Sequence, residues 1–142
     1  MVRIGNMPII LHIMKHYSFY GHNEFIICGG YKINAIKDYF LNFNNYNLDF
    51  TIQIDDGNLS INHHGKLLES GWKISVVNTG EVTNTGGRIK KIQNFVGLED
   101  FFCTYGDGLS DVNINELLRY RSPGRVWVPA RSGRLRQSGC RR

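Results

Sequence analysis

The sequence predicts an α/β protein in which short buried strands alternate with helices. Residues 24–28 form a mostly apolar run that passes through Gly29 and Gly30 into a helical pattern over residues 33–43. Strand, glycine turn and helix in succession are typical of an α/β sheet. A second apolar run, residues 101–105, ends at a glycine and indicates another strand, buried on both faces.

The predicted helices have apolar side chains at spacings of three and four residues. In the first of them, Ile9, Ile13 and Tyr17 share one face behind Pro8, which suits a first helical turn. Asn113 and Glu116 have the spacing of a capping box ahead of a short final helix. The predicted helices are residues 8–17, residues 33–43, a segment that follows Gly86-Gly87 with Ile89, Ile92 and Val96 on its apolar face, and residues 113–120.

Three further strands are predicted. Residues 50–54 alternate between apolar and polar side chains, as in a half-exposed strand. The following Asp55-Asp56-Gly57-Asn58 signals a tight hairpin turn into a partner strand at residues 59–61. Residues 72–77 form the last of the three, closed by Asn78-Thr79-Gly80.

Length and cysteine content favour a single domain in a reducing compartment. A chain of 142 residues buries enough surface for a core without disulfide or metal support. The sequence has neither an apolar run of about 18 residues nor the pattern of a signal peptide, so we expect no membrane partner and a cytoplasmic location. Cys28 and Cys103 fall in predicted buried strands, where cysteine is usually an inert apolar residue.

The net charge of +5 is concentrated at the end of the chain. Residues 121–142 hold seven of the 17 basic residues and no acidic residue, which leaves 10 basic against 12 acidic residues in 1–120. The body is therefore not a basic nucleic-acid-binding domain. The tail, rich in arginine, glycine and serine without a helix or strand period, is expected to be disordered. Such a tail can bind nucleic acid by charge alone, but we favour a solvated tail without that partner.

The turn after residues 101–105 is the first candidate site. Asp107 lies between Gly106 and Gly108 at the carboxyl end of the predicted strand, where open α/β sheets bind ligands. A carboxylate there suits Mg²⁺, which proteins often hold through one or two carboxylates plus substrate phosphates. An aspartate beside glycine also commonly hydrogen-bonds its own turn, and the local sequence alone favours that role.

The loop before the third predicted helix is the second candidate site. Gly86 and Gly87 precede the helix, and free backbone amides at a helix start attract anions. Arg88 in a first turn opposes the helix dipole, which indicates a phosphate or carboxylate partner. An exposed surface arginine is an equally weighted alternative. Thr83 contributes a hydroxyl to this loop, together with Thr79 and Thr85.

These stretches together resemble the sugar nucleotidyltransferases, and within them the branch that uses CTP. The resemblance covers residues 1 to about 120. The threonine-to-arginine loop combined with the Tyr-Gly-Asp-Gly strand end is the specific part. The matching pieces are residues 5–17, residues 25–28 with Gly30-Tyr31-Lys32 and residues 36–40, Thr79-Gly80 with Thr85-Gly86-Gly87-Arg88, and Thr104-Tyr105-Gly106-Asp107-Gly108.

The resemblance implies a three-layer Rossmann-like sheet of the nucleotide-diphospho-sugar transferase type, here incomplete. It also implies an enzyme that transfers a cytidylyl group from CTP to glucose 1-phosphate, with Mg²⁺ as cofactor. In this sequence Asp107 takes the place of the metal ligand and Gly106 that of its nucleotide-contacting neighbour. Thr83 and Arg88 take the places of nucleotide-binding residues, and Arg88 joins Asp107 as a catalytic group. Full-length family members are expected to form homo-oligomers.

The resemblance also implies parts that residues 1–142 do not contain. The family's N-terminal glycine-rich loop, its proline-flanked lysine, its second metal aspartate and its C-terminal half have no counterpart here. We therefore expect an internal fragment, with residues 1–120 as a partial nucleotidyltransferase domain and residues 121–142 foreign to the family, that is inactive alone. The alternative is a non-catalytic nucleotide-binding or subunit-interaction module.

Overall fold

The computed structural model describes residues 2–67, 69, 71–119, 127–128 and 136–137, and it has a mixed α/β fold. The elements, in chain order, are β1 (Arg3–Ile4), β2 (Met7–Pro8), α1 (Ile9–Phe19), β3 (Glu24–Gly29), α2 (Ile33–Leu41), α3 (Phe43–Asn47), β4 (Asp49–Asp55), β5 (Asn58–His64), β6 (Lys73–Asn78), α4 (Thr85–Lys91), α5 (Gln93–Val96), α6 (Ile114–Arg119), β7 (Trp127–Val128) and β8 (Arg136–Gln137).

Strands β3 and β6 form a parallel pair, as the α/β prediction requires. Their register runs from Glu24 opposite Lys73 to Gly29 opposite Asn78. Parallel strands need a crossover, and here α2, α3 and the β4–β5 hairpin supply it. Because the strands are parallel, their carboxyl ends lie at the same edge, so Gly29 and Asn78 place two loops side by side.

Helix α1 is buried between two apolar clusters. Leu11 and Met14 pack with Tyr39 of α2 and with side chains of β3 and β6. On a neighbouring face, Ile13 and Tyr17 pack with Ile114 of α6, which is 0% exposed. The predicted first helix is confirmed, and its apolar spacing explains why it lies at the centre of the described core.

The predicted strand over residues 101–105 is wrong. The segment is extended but forms no strand, and only Phe102 makes a bridge. Thr104 and Tyr105 are exposed, so the segment is not buried on both faces. A strand exists through its hydrogen-bonded neighbour, and in the described part of the chain the parallel sheet consists of β3 and β6 alone. Phe102 instead anchors the segment against the rings of Tyr17 and His22, with centroids 5.6 and 5.0 Å away.

The predicted hairpin is confirmed, but it is more exposed than expected. Asp56 and Gly57 both have positive φ angles, 47° and 82°, as a tight two-residue hairpin turn requires. The strands are longer than predicted, and every residue of β4 is exposed rather than half of them. The alternating pattern correctly gave the strand period, but it did not show whether a partner covers the apolar face.

The remaining helices differ from prediction mainly at their ends. Helix α2 stops at Leu41, and the predicted helix after Gly87 is two short helices that meet at Ile92. The cap of α6 is confirmed, since the Asn113 side-chain oxygen accepts hydrogen bonds from the amides of Asn115 and Glu116 at 3.0 and 3.2 Å.

Most of the arginine-rich tail lies outside the described residues. Within residues 121–142 the structure describes β7 and β8, which pair antiparallel. The expectation that the tail is disordered therefore stays a prediction. In the described part of the chain, no helix is long and apolar enough to cross a membrane.

Candidate functional site

The candidate site lies where the parallel strands β3 and β6 end. Gly29 and Asn78 are paired at that edge, and each leads directly into a loop, through Gly30 and Thr79 respectively. This is the position at which open α/β sheets bind ligands. The sequence predicted that Thr83 and Arg88 lie on one of these loops. In the structure both lie at this edge, where Arg88 donates a hydrogen bond to Thr79, and Lys91 donates to both Thr79 and Thr83.

Thr79 locks the two strand ends together. It is 0% exposed, and both its amide and its hydroxyl donate to the carbonyl oxygen of Gly29, at 2.9 and 2.8 Å. Burying a hydroxyl costs little free energy when its hydrogen bonds are made inside the protein, and much more when they are not. Thr79 is therefore a structural residue of the loop and not one that faces a ligand.

Arg88 crosses from α4 to this junction. Its Nη1 donates to Thr79 Oγ1 at 2.6 Å and to the Gly29 carbonyl at 3.1 Å, and its Nη2 donates to the Glu81 carbonyl at 3.1 Å. All three acceptors are uncharged. Among the described residues, no carboxylate forms an ion pair with Arg88. Its hydrogen bonds hold the guanidinium in place, while its positive charge is available to an anion at the edge of the sheet.

The prediction that Arg88 lies in the first turn of a helix, against its dipole, is wrong. Helix α4 begins at Thr85, so Arg88 lies in its last turn with Lys90 and Lys91, where a cation is favoured. The amide of Gly87 is not free either, because it donates to the Asn84 side chain at 2.8 Å. The case for an anion therefore depends on the uncompensated charge of Arg88 and not on the start of the helix.

Lys91 is a member of this cluster that sequence reasoning missed. Its Nζ donates to the Thr79 carbonyl at 2.8 Å and to Thr83 Oγ1 at 3.2 Å. The available signal was its spacing, since residues three apart on a helix lie on the same side and Arg88 precedes Lys91 by three. Lys91 connects Thr83 to the buried Thr79, so two cations and two threonines form one network.

Gly30 allows the guanidinium to lie against the backbone. A Cβ atom at Gly30 would lie 2.6 and 2.7 Å from Nη2 and Nη1 of Arg88 and 3.0 Å from the Gly80 carbonyl oxygen. These distances are shorter than real Cβ contacts, so any side chain at Gly30 displaces Arg88. The glycine pair after β3 therefore has a role that the turn prediction did not contain.

Gly106 and Asp107 form an exposed turn beyond the Phe102 anchor. Four residues before Asp107, burial raises the pKa of the Cys103 thiol, and the nearby Cys28 raises it further. Burial also raises the pKa of Cys28, while the charge of Arg88 opposes that rise.

The carboxylate of Asp107 is of the type that Mg²⁺ takes as a ligand. No group of three metal-binding side chains occurs among the described residues. Mg²⁺ does not need one, because it commonly uses one or two carboxylates together with water and phosphate oxygens. An exposed carboxylate in a glycine turn provides that kind of ligand.

Comparison with known proteins identifies relatives of one kind. The chain is 40% identical over 121 residues to proteins of Salmonella typhimurium and Salmonella typhi that are both named glucose-1-phosphate cytidylyltransferase. The aligned region covers 84% of this chain and 46% of each of those proteins. A Bacillus subtilis protein named probable glucose-1-phosphate cytidylyltransferase is 40% identical over 117 residues, which is 82% of this chain and 44% of that protein.

No family model matches the sequence. The chain spans about half the length of the curated relatives it matches. The resemblance found in the sequence is nevertheless confirmed by these alignments, which cover most of the chain: this protein is a relative of the glucose-1-phosphate cytidylyltransferases.

Proposed function

We propose that this chain contributes the nucleotide-binding edge of an enzyme that transfers a cytidylyl group from CTP to glucose 1-phosphate, giving CDP-glucose and pyrophosphate. The names of the relatives support the reaction. The observation that carries the proposal is the position of Arg88, whose guanidinium lies at the carboxyl edge of the sheet and donates there to three neutral acceptors. A fixed cation at that edge suits a nucleotide phosphate.

The chemistry requires charge stabilisation more than a protein nucleophile. An oxygen of the sugar phosphate attacks the α-phosphorus of CTP, a new P–O bond forms, and the bond to pyrophosphate breaks. Arg88, held by Thr79, is already oriented to stabilise the negative charge that develops, so little reorganisation is needed. Thr83 positions the nucleotide. Asp107 would hold Mg²⁺, whose charge would offset that of the phosphates, and Gly106 would leave room for the nucleotide beside it.

The wider setting belongs to the same proposal. We infer that the sheet of the whole protein is a three-layer Rossmann-like sheet and that CDP-glucose serves the synthesis of CDP-linked sugars of surface polysaccharide. We place the reaction in the cytosol, where free thiols such as those of Cys28 and Cys103 persist.

We propose further that the 142-residue chain does not turn over alone. The phosphate clamps implied by the resemblance but not contained in residues 1–142 are the glycine-rich loop, its arginine, the proline-flanked lysine and the second metal carboxylate. Removing even one preorganised donor commonly costs about a hundredfold in rate. Arg88 and Asp107 alone hold the nucleotide from one side.

A non-catalytic nucleotide-binding or subunit-interaction module is the second candidate. The exposed apolar face of the hairpin favours the interaction role, because soluble proteins rarely leave a large apolar patch uncovered. The two candidates differ in one measurable property. If the phosphate-binding groups that residues 1–142 do not contain are added from a relative, the enzyme turns over and the non-catalytic module does not.

A chimera separates these functions. The matched region of the Salmonella typhimurium relative is replaced by the matched residues of this chain, and pyrophosphate release is followed with CTP, glucose 1-phosphate and Mg²⁺. We expect turnover by the chimera and none by the 142-residue chain. A chimera that folds, as judged by circular dichroism, and binds CTP without releasing pyrophosphate would support the non-catalytic module instead. The matched control is the chimera with Arg88→Met, which should lose turnover.

A further inference from the structure

The Asp107 loop, residues 103–113, lies wholly within the described part of the chain and contains neither a helix nor a strand. Its residues 104–107 are exposed to solvent. An exposed segment outside helices and strands opens more easily than they do, unless side chains from elsewhere hold it. The position of Asp107 therefore depends on what the two ends of the loop are attached to.

Both ends of the Asp107 loop are attached to helix α1 and the turn that follows it. At the incoming end, the ring of Phe102 packs against the rings of Tyr17 and His22, with centroids 5.6 and 5.0 Å away. At the outgoing end, Nε2 of His16 donates a hydrogen bond to the Val112 carbonyl oxygen at 2.9 Å. One buried helix thus holds both ends of an otherwise irregular loop.

The hydrogen bond from His16 has a fixed direction. A carbonyl oxygen only accepts, so Nε2 of His16 carries the proton. The bond is partly buried, so water competes with it less than with an exposed bond. The imidazole ring lies edge-on to the rings of Tyr17 and Tyr20, with centroids 6.0 and 5.4 Å away. These ring contacts orient the donor toward the loop.

The buried Ile114 fixes helix α6 and not the loop before it. Ile114 is 0% exposed and packs with Ile13 and Tyr17 of α1. The carbonyl that His16 holds belongs to Val112, which lies two residues nearer to Asp107 along the chain. The hydrogen bond therefore holds a part of the loop that the packing of α6 leaves unattached.

We propose that His16 is a positioning residue for the Asp107 loop, which it keeps in the conformation that binds a divalent cation together with a nucleotide. The inference rests on the metal role of Asp107 proposed above. Loss of the hydrogen bond leaves the carboxylate itself unchanged and lowers the fraction of chains whose loop is correctly placed. The apparent affinity for the cation falls in proportion to that fraction.

His12 offers a matched control on the same helix. It lies one turn before His16, and its Nε2 donates to the Ile4 carbonyl at 3.2 Å in an exposed bond. The residue type, the helix and the kind of bond are the same, but the acceptor belongs to the β1 strand and not to the Asp107 loop. A change at His12 therefore reports what the loss of a histidine from α1 does by itself.

The test measures loop order and metal binding separately in the 142-residue chain. Amide hydrogen exchange at residues 108–112 without ligand reports the order of the loop. Mn²⁺ with CTP serves as the metal probe, because it broadens the amide signals of Gly106 and Gly108 when it binds beside them. His16→Phe keeps an aromatic ring and removes the donor, whereas His16→Gln keeps a donor and removes the ring. His12→Phe is measured alongside.

We expect His16→Phe to speed exchange at residues 108–112 about fivefold, the effect of losing one hydrogen bond of ordinary strength. The Mn²⁺ concentration that gives half of the maximal broadening should rise about threefold or more. His16→Gln and His12→Phe should both stay within about twofold of the parent chain, since each leaves a donor at position 16. Rescue by glutamine attributes the effect to the hydrogen bond and not to the packing of the ring.

Unchanged exchange in His16→Phe overturns the proposal. So does faster exchange with an unchanged Mn²⁺ requirement, because His16 is then structural only, and so do equal effects of His16→Phe and either His16→Gln or His12→Phe. A parent chain without broadening at Gly106 and Gly108 refutes the metal role of Asp107 itself, and this inference falls with it. Should amide spectra show that His16→Phe disrupts α1, His16→Met replaces it, since methionine has nearly the length of glutamine and no donor.

Discussion

The hydroxyl of Thr79 accepts a hydrogen bond from Arg88 at 2.6 Å and donates one to Gly29 at 2.8 Å. One buried oxygen thus connects a cationic helix residue to the end of a core strand. Thr79→Val keeps the shape and removes this link, and it should lower the free energy of unfolding by about 1–3 kcal/mol. Thr83→Val is the control, because Thr83 is more exposed and its hydroxyl accepts a longer hydrogen bond, from Lys91 at 3.2 Å, so its effect should be smaller. Urea unfolding measures both, and equal effects would contradict the assignment.

Gly30→Ala should displace the Arg88 guanidinium. The added methyl would lie 2.6 Å from an arginine nitrogen, so we expect lower stability and weaker binding of Mg²⁺–CTP. Gly86→Ala is the matched control, since nothing lies within 4 Å of a Cβ there and alanine suits a helix better by about 1 kcal/mol. Thermal unfolding of both variants checks the contrast. If Gly30→Ala were as stable as the parent chain, the close approach would not matter.

Lys91→Met should loosen the loop between β6 and α4. The ammonium holds the Thr79 carbonyl and the Thr83 hydroxyl, so its loss should increase amide hydrogen exchange at Gly80 and Thr83 by about tenfold. Lys90→Met removes the same charge one residue away on an exposed position and should leave exchange unchanged. Lys91→Arg should restore part of the protection, which separates a hydrogen bond from general packing.

Tyr17 should make the free energy of unfolding fall at alkaline pH. Burial raises the pKa of its phenol to about 12 from 10.0, a rise that the nearby Thr104 opposes in part. The Thr104 side chain lies near this buried hydroxyl but does not form a short, well-aligned hydrogen bond with it. The unfolded state ionises first, so stability is complete below pH 10 and falls between pH 10 and 12 by about 2 kcal/mol.

Tyr17→Phe should abolish this alkaline loss and should cost little at pH 7, because it removes an unsatisfied buried hydroxyl. Unfolding by urea at a series of pH values measures the difference between the two proteins. Parallel stability curves up to pH 12 would contradict this account of Tyr17.

Asp107→Asn should remove the magnesium-dependent part of CTP affinity. The amide keeps the size of the side chain and removes the charge that the cation needs, so the stimulation of binding by Mg²⁺ should fall at least about tenfold. Asp49→Asn, in the exposed hairpin, removes the same charge elsewhere and should have no effect. Unchanged stimulation in Asp107→Asn, measured by calorimetry with and without Mg²⁺, would refute the metal role.

Local patterns predicted the local elements well. The apolar spacing from Ile9 to Tyr17 and the Asp-Gly turn at residues 56 and 57 specify structure through neighbours in the chain, and both are confirmed. The run at residues 101–105 failed because a strand also needs a partner, and apolar character does not state which strands are present to pair.

The candidate site was also predicted only in part. The sequence indicated which glycine, threonine and arginine residues belong to it, but it did not indicate what they contact. Arg88 lies against Gly30, 58 positions earlier in the chain, and only the pairing of β3 with β6 brings them together. Lys91 was missed because its spacing from Arg88 does not show what its ammonium contacts, and its role depends on the buried Thr79.

The most direct test of the central claim is a titration of the isotope-labelled chain with Mg²⁺–CTP, followed through its backbone amides. The account predicts weak, saturable shifts at Gly80, Thr83, Gly87 and Gly106. Residues of the exposed β4–β5 hairpin serve as the internal control and should not shift when CTP is added. CTP up to several millimolar that leaves the loop amides unmoved, or that shifts the hairpin and not the loop, would contradict the assignment of this edge to a nucleotide.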